Sequence, residues 1–82
     1  MKAVILVDTE LPVPISGVNK ELSRILTDIK HIDLVVDAYV VYGRFDYVIH
    51  VNAPDFKSLV QAAMKVNSLK NIRSTETLIE AV

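Results

Sequence analysis

The run Gly43-Arg44-Phe45-Asp46 is the segment whose residue types and spacing best suit a small ligand. A glycine reaches positive φ and leaves its amide open to a carboxylate, and a carboxylate three residues on can accept from an ammonium group. A zwitterion needs both. The same four residues could also simply close a hairpin, with Gly43 in the turn and Asp46 capping it. His50 is the second candidate. In a strand running through Asp46, Val48 and His50, alternation sets Asp46 and His50 on one face, where a small dimeric α/β-barrel enzyme could use them to move a proton. A histidine satisfied by a neighbour at an interface accounts for His50 more simply.

Other chemistries lack their residues. There is no cysteine, which excludes disulfide scaffolds, thiol nucleophiles, cysteine-based zinc sites and iron–sulfur clusters together. His31 and His50 are the only imidazoles and have no His-x-x-x-His spacing, so neither a metal nor any other cofactor is expected. Two glycines cannot build a dinucleotide or Walker loop, and Ser16, Ser23, Ser58, Ser68 and Ser74 stand in no hydrolase motif. The octapeptide Gly43 to His50 loosely echoes an RNA-recognition strand. However, Asp46 puts a carboxylate where that pattern wants a small residue, and the first strand has no aromatic to stack a second base. Nine Lys plus Arg against ten Asp plus Glu give a net charge of −1 with scattered cations, which argues against RNA and duplex DNA alike.

The elements that must position these residues follow from the hydropathy pattern. The chain has 82 residues, 51% of them hydrophobic, which is one domain and too aliphatic for a disordered tail. The longest apolar run, Ala3 to Val7, is far short of the roughly 18 residues of a membrane span, and the N-terminus is too short for a secretory signal, so cytoplasm is the expected location. Lys2 to Thr9 reads as a central strand and Glu10 to Ile15, with two prolines, as an extended connection. Val18, Leu22, Ile25, Leu26 and Ile29 form one helical stripe, with Ser16 or Asn19 as N-cap and Lys20, Glu21, Arg24 and Asp28 opposite. Ile32 to Tyr42 and Phe45 to Val51 are strands joined at Gly43 as an antiparallel hairpin. Asp55 caps a second helix whose Phe56, Leu59, Val60, Ala63 and Val66 repeat near the helical period, and Ile72 to Val82 alternates as a last strand.

The order β-α-β-β-α-β is the ferredoxin-like arrangement, an α+β two-layer sandwich with both helices on one face of an antiparallel four-stranded sheet. The other face stays open and carries aliphatics of the Val35/Tyr39/Val41 set or its alternate, a patch that suits a second copy. A chain this short buries only about 60% of its unfolded surface, so partner surface would help to stabilise it.

The run Val40 to Val51, then Asp55, Leu59 and Val60, then Asn71-Ile72-Arg73-Ser74-Thr75-Glu76-Thr77-Leu78-Ile79, resembles the effector domain of the Lrp/AsnC feast/famine transcription regulators, the ACT-like RAM domain. That family's pattern is a hydrophobic strand, G-x-Y/F-D, a strand, an acidic helix cap and a late V-x-x-T-x-T strand. The resemblance covers essentially the whole chain. It implies a homodimer formed through the sheets, assembly of dimers into octameric or decameric rings, and an amino acid or related metabolite bound near the G-x-x-D turn. Carried across residue by residue, it marks Gly43 and Asp46, then Arg44 and Phe45 between them, Thr75 and Thr77, and the flanking Tyr42 and Ser74. It further implies no catalytic residues. The family's helix-turn-helix domain finds no place before a strand that starts after Met1. The expectation is therefore a single stand-alone sensor over residues 1–82 that contacts neither DNA nor membrane directly and has a full-length Lrp/AsnC regulator as a candidate partner. A module that keeps only its oligomer interface, with no ligand, is the remaining alternative.

Overall fold

The computed structural model describes residues 1–10 and 20–81. Strand β1, Lys2–Thr9, buries Ala3, Ile5, Val7 and Thr9 and leaves Val4, Leu6 and Asp8 half exposed, a period of two with one face turned to the core, so the continuous apolar run is not covered on both faces within the chain. It pairs antiparallel with β3, Tyr47–Asn52, on one side and with β4, Ile72–Ile79, on the other. β2, Val35–Val40, completes the sheet beside β3 in the order β2-β3-β1-β4. With α1 at Lys20–Lys30 and α2 at Phe56–Asn67, the element order and the antiparallel sheet are those of the ferredoxin-like α+β fold. Among the described residues no helix is long and apolar enough to cross a membrane.

The core lies between the inward face of the sheet and the helices. Leu22, Ile25 and Ile29 of α1 and Leu59, Ala62 and Val66 of α2 meet Ile5, Val7, Tyr47, Ile49 and Val51. Tyr47 is fully buried, and its hydroxyl donates to the Leu22 carbonyl at 2.8 Å, tying β3 to α1. Burial, and after it the negative Asp46 alongside, raise that phenol well above the usual tyrosine range. Asp55 caps α2 as its sequence position predicts, accepting from the Ser58 amide at 2.8 Å. Ser16, Asn19 and Val18 at the expected start of α1, and Leu11 to Ile15 of the Pro-containing connection, lie outside the described residues.

Three details depart from simple periodicity. A bulge between Val35 and Asp37 shifts β2 by one residue, so Val35 pairs with inward-facing Val51 whereas Tyr39 pairs with Val48 on the open face. Val35 and Tyr39, expected on one face, thus lie on opposite ones. The strands are also trimmed at their ends: β3 begins at Tyr47 rather than Phe45, because Asp46 is held in the preceding bend. On α2, Phe56 and Val60 belong to the apolar repeat but remain 58% and 39% exposed, and Ala62 takes a core position instead.

Candidate functional site

The end of the sheet where β1 finishes, β3 begins and β4 starts carries a cleft of about 600 Å³, lined by Asp8, Thr9, Glu10, Tyr42, Gly43, Arg44, Asp46 and Arg73. Its floor is set by Asp46. The Asp46 amide donates to the Val7 carbonyl at 2.8 Å, and the Asp46 carbonyl accepts from the Val41 amide at 2.8 Å. One carboxylate oxygen, Oδ2, accepts from both the Thr9 amide at 2.8 Å and the Thr9 hydroxyl at 2.9 Å. Thr9 and Asp46 are 1% and 8% exposed, so these bonds form in a site shielded from water. Alternation along β1 turns the Thr9 amide to the same side as the Val7 carbonyl, which accepts from the Asp46 amide, so the Asp46 carboxylate lies within reach of Thr9.

The wall beside β4 is a second fixed element. Arg73 donates from Nε and Nη2 to the two Asp8 carboxylate oxygens at 3.0 and 3.2 Å, and from Nη2 to the Thr9 carbonyl at 3.1 Å. The Asp8 hydrogen bond, then its charge, raise the guanidinium pKa above the ordinary arginine value. Asp8 and Arg73 therefore neutralise each other. Among the described residues, the charged groups lining the cleft with no ion pair are Glu10, Arg44 and Asp46, the last held by its two hydrogen bonds from Thr9. Arg44 has a single described neighbour contact, its guanidinium carbon lying 5.5 Å from the Phe45 ring centroid.

Gly43 has φ +157°, a conformation L side chains rarely adopt, with nothing within 4 Å of where a Cβ would sit. The glycine is required by its backbone rather than by crowding. Tyr42 is exposed at the rim. Tyr42, Gly43, Arg44 and Asp46, marked from the sequence, are thus brought together. Phe45 and Thr75 line an adjoining hollow of about 420 Å³ with Asp8, Arg44, Ser74 and Glu76. The Thr75 hydroxyl is spent on Asn67 Oδ1 at 2.9 Å. Thr77 pairs with Ile5, further along β4, and lines neither hollow.

Sequence reasoning missed Asp8, Thr9, Glu10 and Arg73 as members of this cleft. The signal for Thr9 was present: continuing the inward series Ala3, Ile5, Val7 places a threonine in the core, where its hydroxyl must find a buried acceptor. The pair required for proton transfer is not assembled. Asp46 is engaged with Thr9, whereas His50 sits on the open sheet face with Nε2 3.1 Å from the Tyr39 hydroxyl.

Comparison with known proteins agrees with this fold. The family model described as the Lrp/AsnC ligand binding domain matches residues 4–80. Among solved structures, FFRP-DM1 shares 26% identity at a TM-score of 0.77, with 96% of each chain covered. AsnC of E. coli shares 23% identity at a TM-score of 0.81, 99% of this chain aligning with 50% of that one. A transcriptional regulator of Neisseria meningitidis, solved as a complex with L-Met, aligns over 99% of this chain and 51% of its own at 12% identity and a TM-score of 0.72. No curated protein matches the chain by sequence. A match over nearly the whole sequence, on a ferredoxin-like fold whose G-x-x-D bend opens on a polar cleft, means that the chain belongs to the Lrp/AsnC ligand-binding domain family.

Proposed function

We propose that the cleft at the end of the sheet binds a small zwitterion, an amino acid or a close metabolite, and that the chain acts as a sensor without covalent chemistry. The observation that carries this is the charge left over in the cleft: among the described residues Arg44 on one side and Glu10 and Asp46 on the other have no ion pair, while Asp8 and Arg73 satisfy one another. In this reading the ligand carboxylate meets Arg44 and the Gly43 amide, and its ammonium meets Glu10 and the remaining Asp46 oxygen. Tyr42 closes over the rim. The family to which the chain belongs, and a regulator of this fold solved with L-Met, support an amino acid as the class.

The open sheet face, with Val4, Leu6, Val48, Tyr39 and Leu78, is the surface through which we propose that two copies join, as in the resemblance to Lrp/AsnC regulators. A ligand with different affinities for two assembly states then shifts the population between them. The scattered cations and net charge of −1 suit a chain that reaches DNA through a full-length Lrp/AsnC regulator rather than by itself, in the cytoplasm. Thermal shift and calorimetry with each of the twenty amino acids test the sensor reading. We expect one or a few to raise the melting temperature in a concentration-dependent manner and Arg44→Ala to remove the effect. No response to any of the twenty at 10 mM, with the chain folded, would overturn it.

A further inference from the structure

Two hollows meet at this end of the sheet, and Asp8 and Arg44 line both. The cleft holds Glu10 and Asp46, and the adjoining hollow of about 420 Å³ adds Phe45, Ser74 and Glu76. β1 runs between them. The Val7 carbonyl takes the Asp46 amide on one side of that strand and Thr75 opposes Val7 on the other, so Asp46 and Thr75 stand two strand spacings apart, about 10 Å. Ser74 opposes Asp8 and Glu76 opposes Leu6, which turns both side chains toward the open face on which the second hollow lies.

Most polar groups of the second hollow are already committed. Both Asp8 oxygens accept from Arg73, and the Thr75 hydroxyl is held by Asn67. Glu76 is exposed, and among the described residues its carboxylate has no ion pair. On the cleft side, Asp46 is 8% exposed and gives Oδ2 to both Thr9 donors. Every fully buried side-chain oxygen among the described residues has a partner, whereas Asp46 Oδ1 takes none there, so Oδ1 opens into the cleft. Across the two hollows four carboxylates, of Asp8, Glu10, Asp46 and Glu76, face two guanidiniums, of Arg44 and Arg73, a net charge of −2. A zwitterion leaves that charge as it is, an acidic amino acid adds to it, and a basic one halves it.

We infer that the ligand is a basic amino acid of the lysine or arginine kind, whose side chain crosses from the cleft into the second hollow and sets its terminal cation on Glu76. The inference rests on the zwitterion reading above and adds the side-chain class to it. The ligand carboxylate meets Arg44 on the wall that both hollows share, and the α-ammonium turns to Glu10 and Asp46 Oδ1. The stem passes over the half-buried Phe45 ring, which packs its methylenes, and the cation reaches the Glu76 carboxylate and the Ser74 hydroxyl. A stem of about three or four methylenes spans the distance from one hollow to the other, and a shorter side chain does not. An apolar side chain of the same length would take water from Glu76 and return no hydrogen bond.

Calorimetry at pH 7 tests this with L-lysine, L-norleucine, which keeps the stem and lacks the ammonium, L-glutamate, and cadaverine, which keeps both amines and lacks the carboxylate. Lysine should bind about 10–100-fold tighter than norleucine, the worth of one charge-assisted hydrogen bond, and glutamate and cadaverine should each bind at least about 10-fold more weakly than lysine. Glu76→Gln should bring the ratio of lysine to norleucine affinity to about one. Glu80→Gln removes a carboxylate just beyond β4 that lines neither hollow, and should leave the ratio as in the wild type. The inference is overturned, with the sensor reading left standing, if norleucine, glutamate or cadaverine matches lysine, if Glu76→Gln keeps the wild-type ratio or Glu80→Gln lowers it equally, or if only neutral or acidic amino acids bind. Binding by none of the twenty amino acids overturns both.

Discussion

Asp46 is the residue whose removal should reveal how the cleft is built. Its carboxylate accepts two hydrogen bonds from Thr9, and both residues are buried, so Asp46→Ala leaves an amide and a hydroxyl without their acceptor in the core. Each stranded donor costs about 1–3 kcal/mol, which puts Asp46→Ala at about 3–5 kcal/mol. A domain of this length has a total stability of about 4–12 kcal/mol, so the loss is a large share of it. Asp46→Asn keeps an oxygen for Thr9 and forfeits only the charge assistance, for a cost of about 1–2 kcal/mol. Thr9→Val removes the hydroxyl bond alone, also at about 1–2 kcal/mol, and should be strongly non-additive with Asp46→Asn. Urea unfolding at one fixed protein concentration reads all of these, because assembly would otherwise shift the midpoints. The reasoning would be falsified if Asp46→Ala lost less than about 1 kcal/mol. Asp46 would then be a ligand contact held in place by the rest of the bend.

Further outcomes follow from the same geometry. Arg44→Ala should weaken binding of whichever zwitterion raises the melting temperature by roughly 10–100-fold, the worth of one charge-assisted hydrogen bond, while leaving urea unfolding unchanged, since Arg44 is exposed and makes no hydrogen bond or ion pair among the described residues. Of the three tyrosines, Tyr39 and Tyr42 are exposed and Tyr47 buried with a raised pKa. Ultraviolet titration should therefore show the Tyr47 phenol ionising only as the chain unfolds. Because the folded-state value of Tyr47 is raised, its contribution to stability is complete below the unfolded phenol value and is lost as pH climbs above it. The Asp55 carboxylate is held below its usual range by the Ser58 amide. Its capping contribution is therefore present above the unfolded carboxylate value and fades as pH falls through the folded one, and the gap in urea midpoint between wild type and Asp55→Ala should close on moving from pH 7 to pH 3.

Most of the architecture was legible in the sequence because it rests on local periodicities. The stripe Leu22, Ile25, Ile29 and the alternation of Ala3, Ile5 and Val7 each report one buried face, and their order leaves few topologies. The Asp55 cap was legible for the same reason, since donor and acceptor are three residues apart. What escaped depends on residues far apart in the chain. No spacing within residues 35–42 reveals the bulge that moves Val35 and Tyr39 to opposite faces, because it is defined against β3. No local signal shows that Phe56 and Val60 stay exposed while Ala62 takes a core position.

The cleft divides along the same line. Gly43 and Asp46 could be singled out from residue type and a spacing of three, and a zwitterion could be inferred from their chemistry. The use made of Asp46 depends on Thr9, thirty-seven residues earlier, and the pairing of Asp8 with Arg73 spans sixty-five. These contacts exist because β1 lies between β3 and β4, and that placement decides which charges are consumed and which remain for a ligand. The sequence by itself determined the fold class, the family and the bend that matters, since these are written in short-range patterns. Only the tertiary structure decided that the Asp46 carboxylate is engaged by Thr9 while Glu10 and Arg44 have no ion pair among the described residues, because hydrogen bonds are satisfied by neighbours in space and not in sequence.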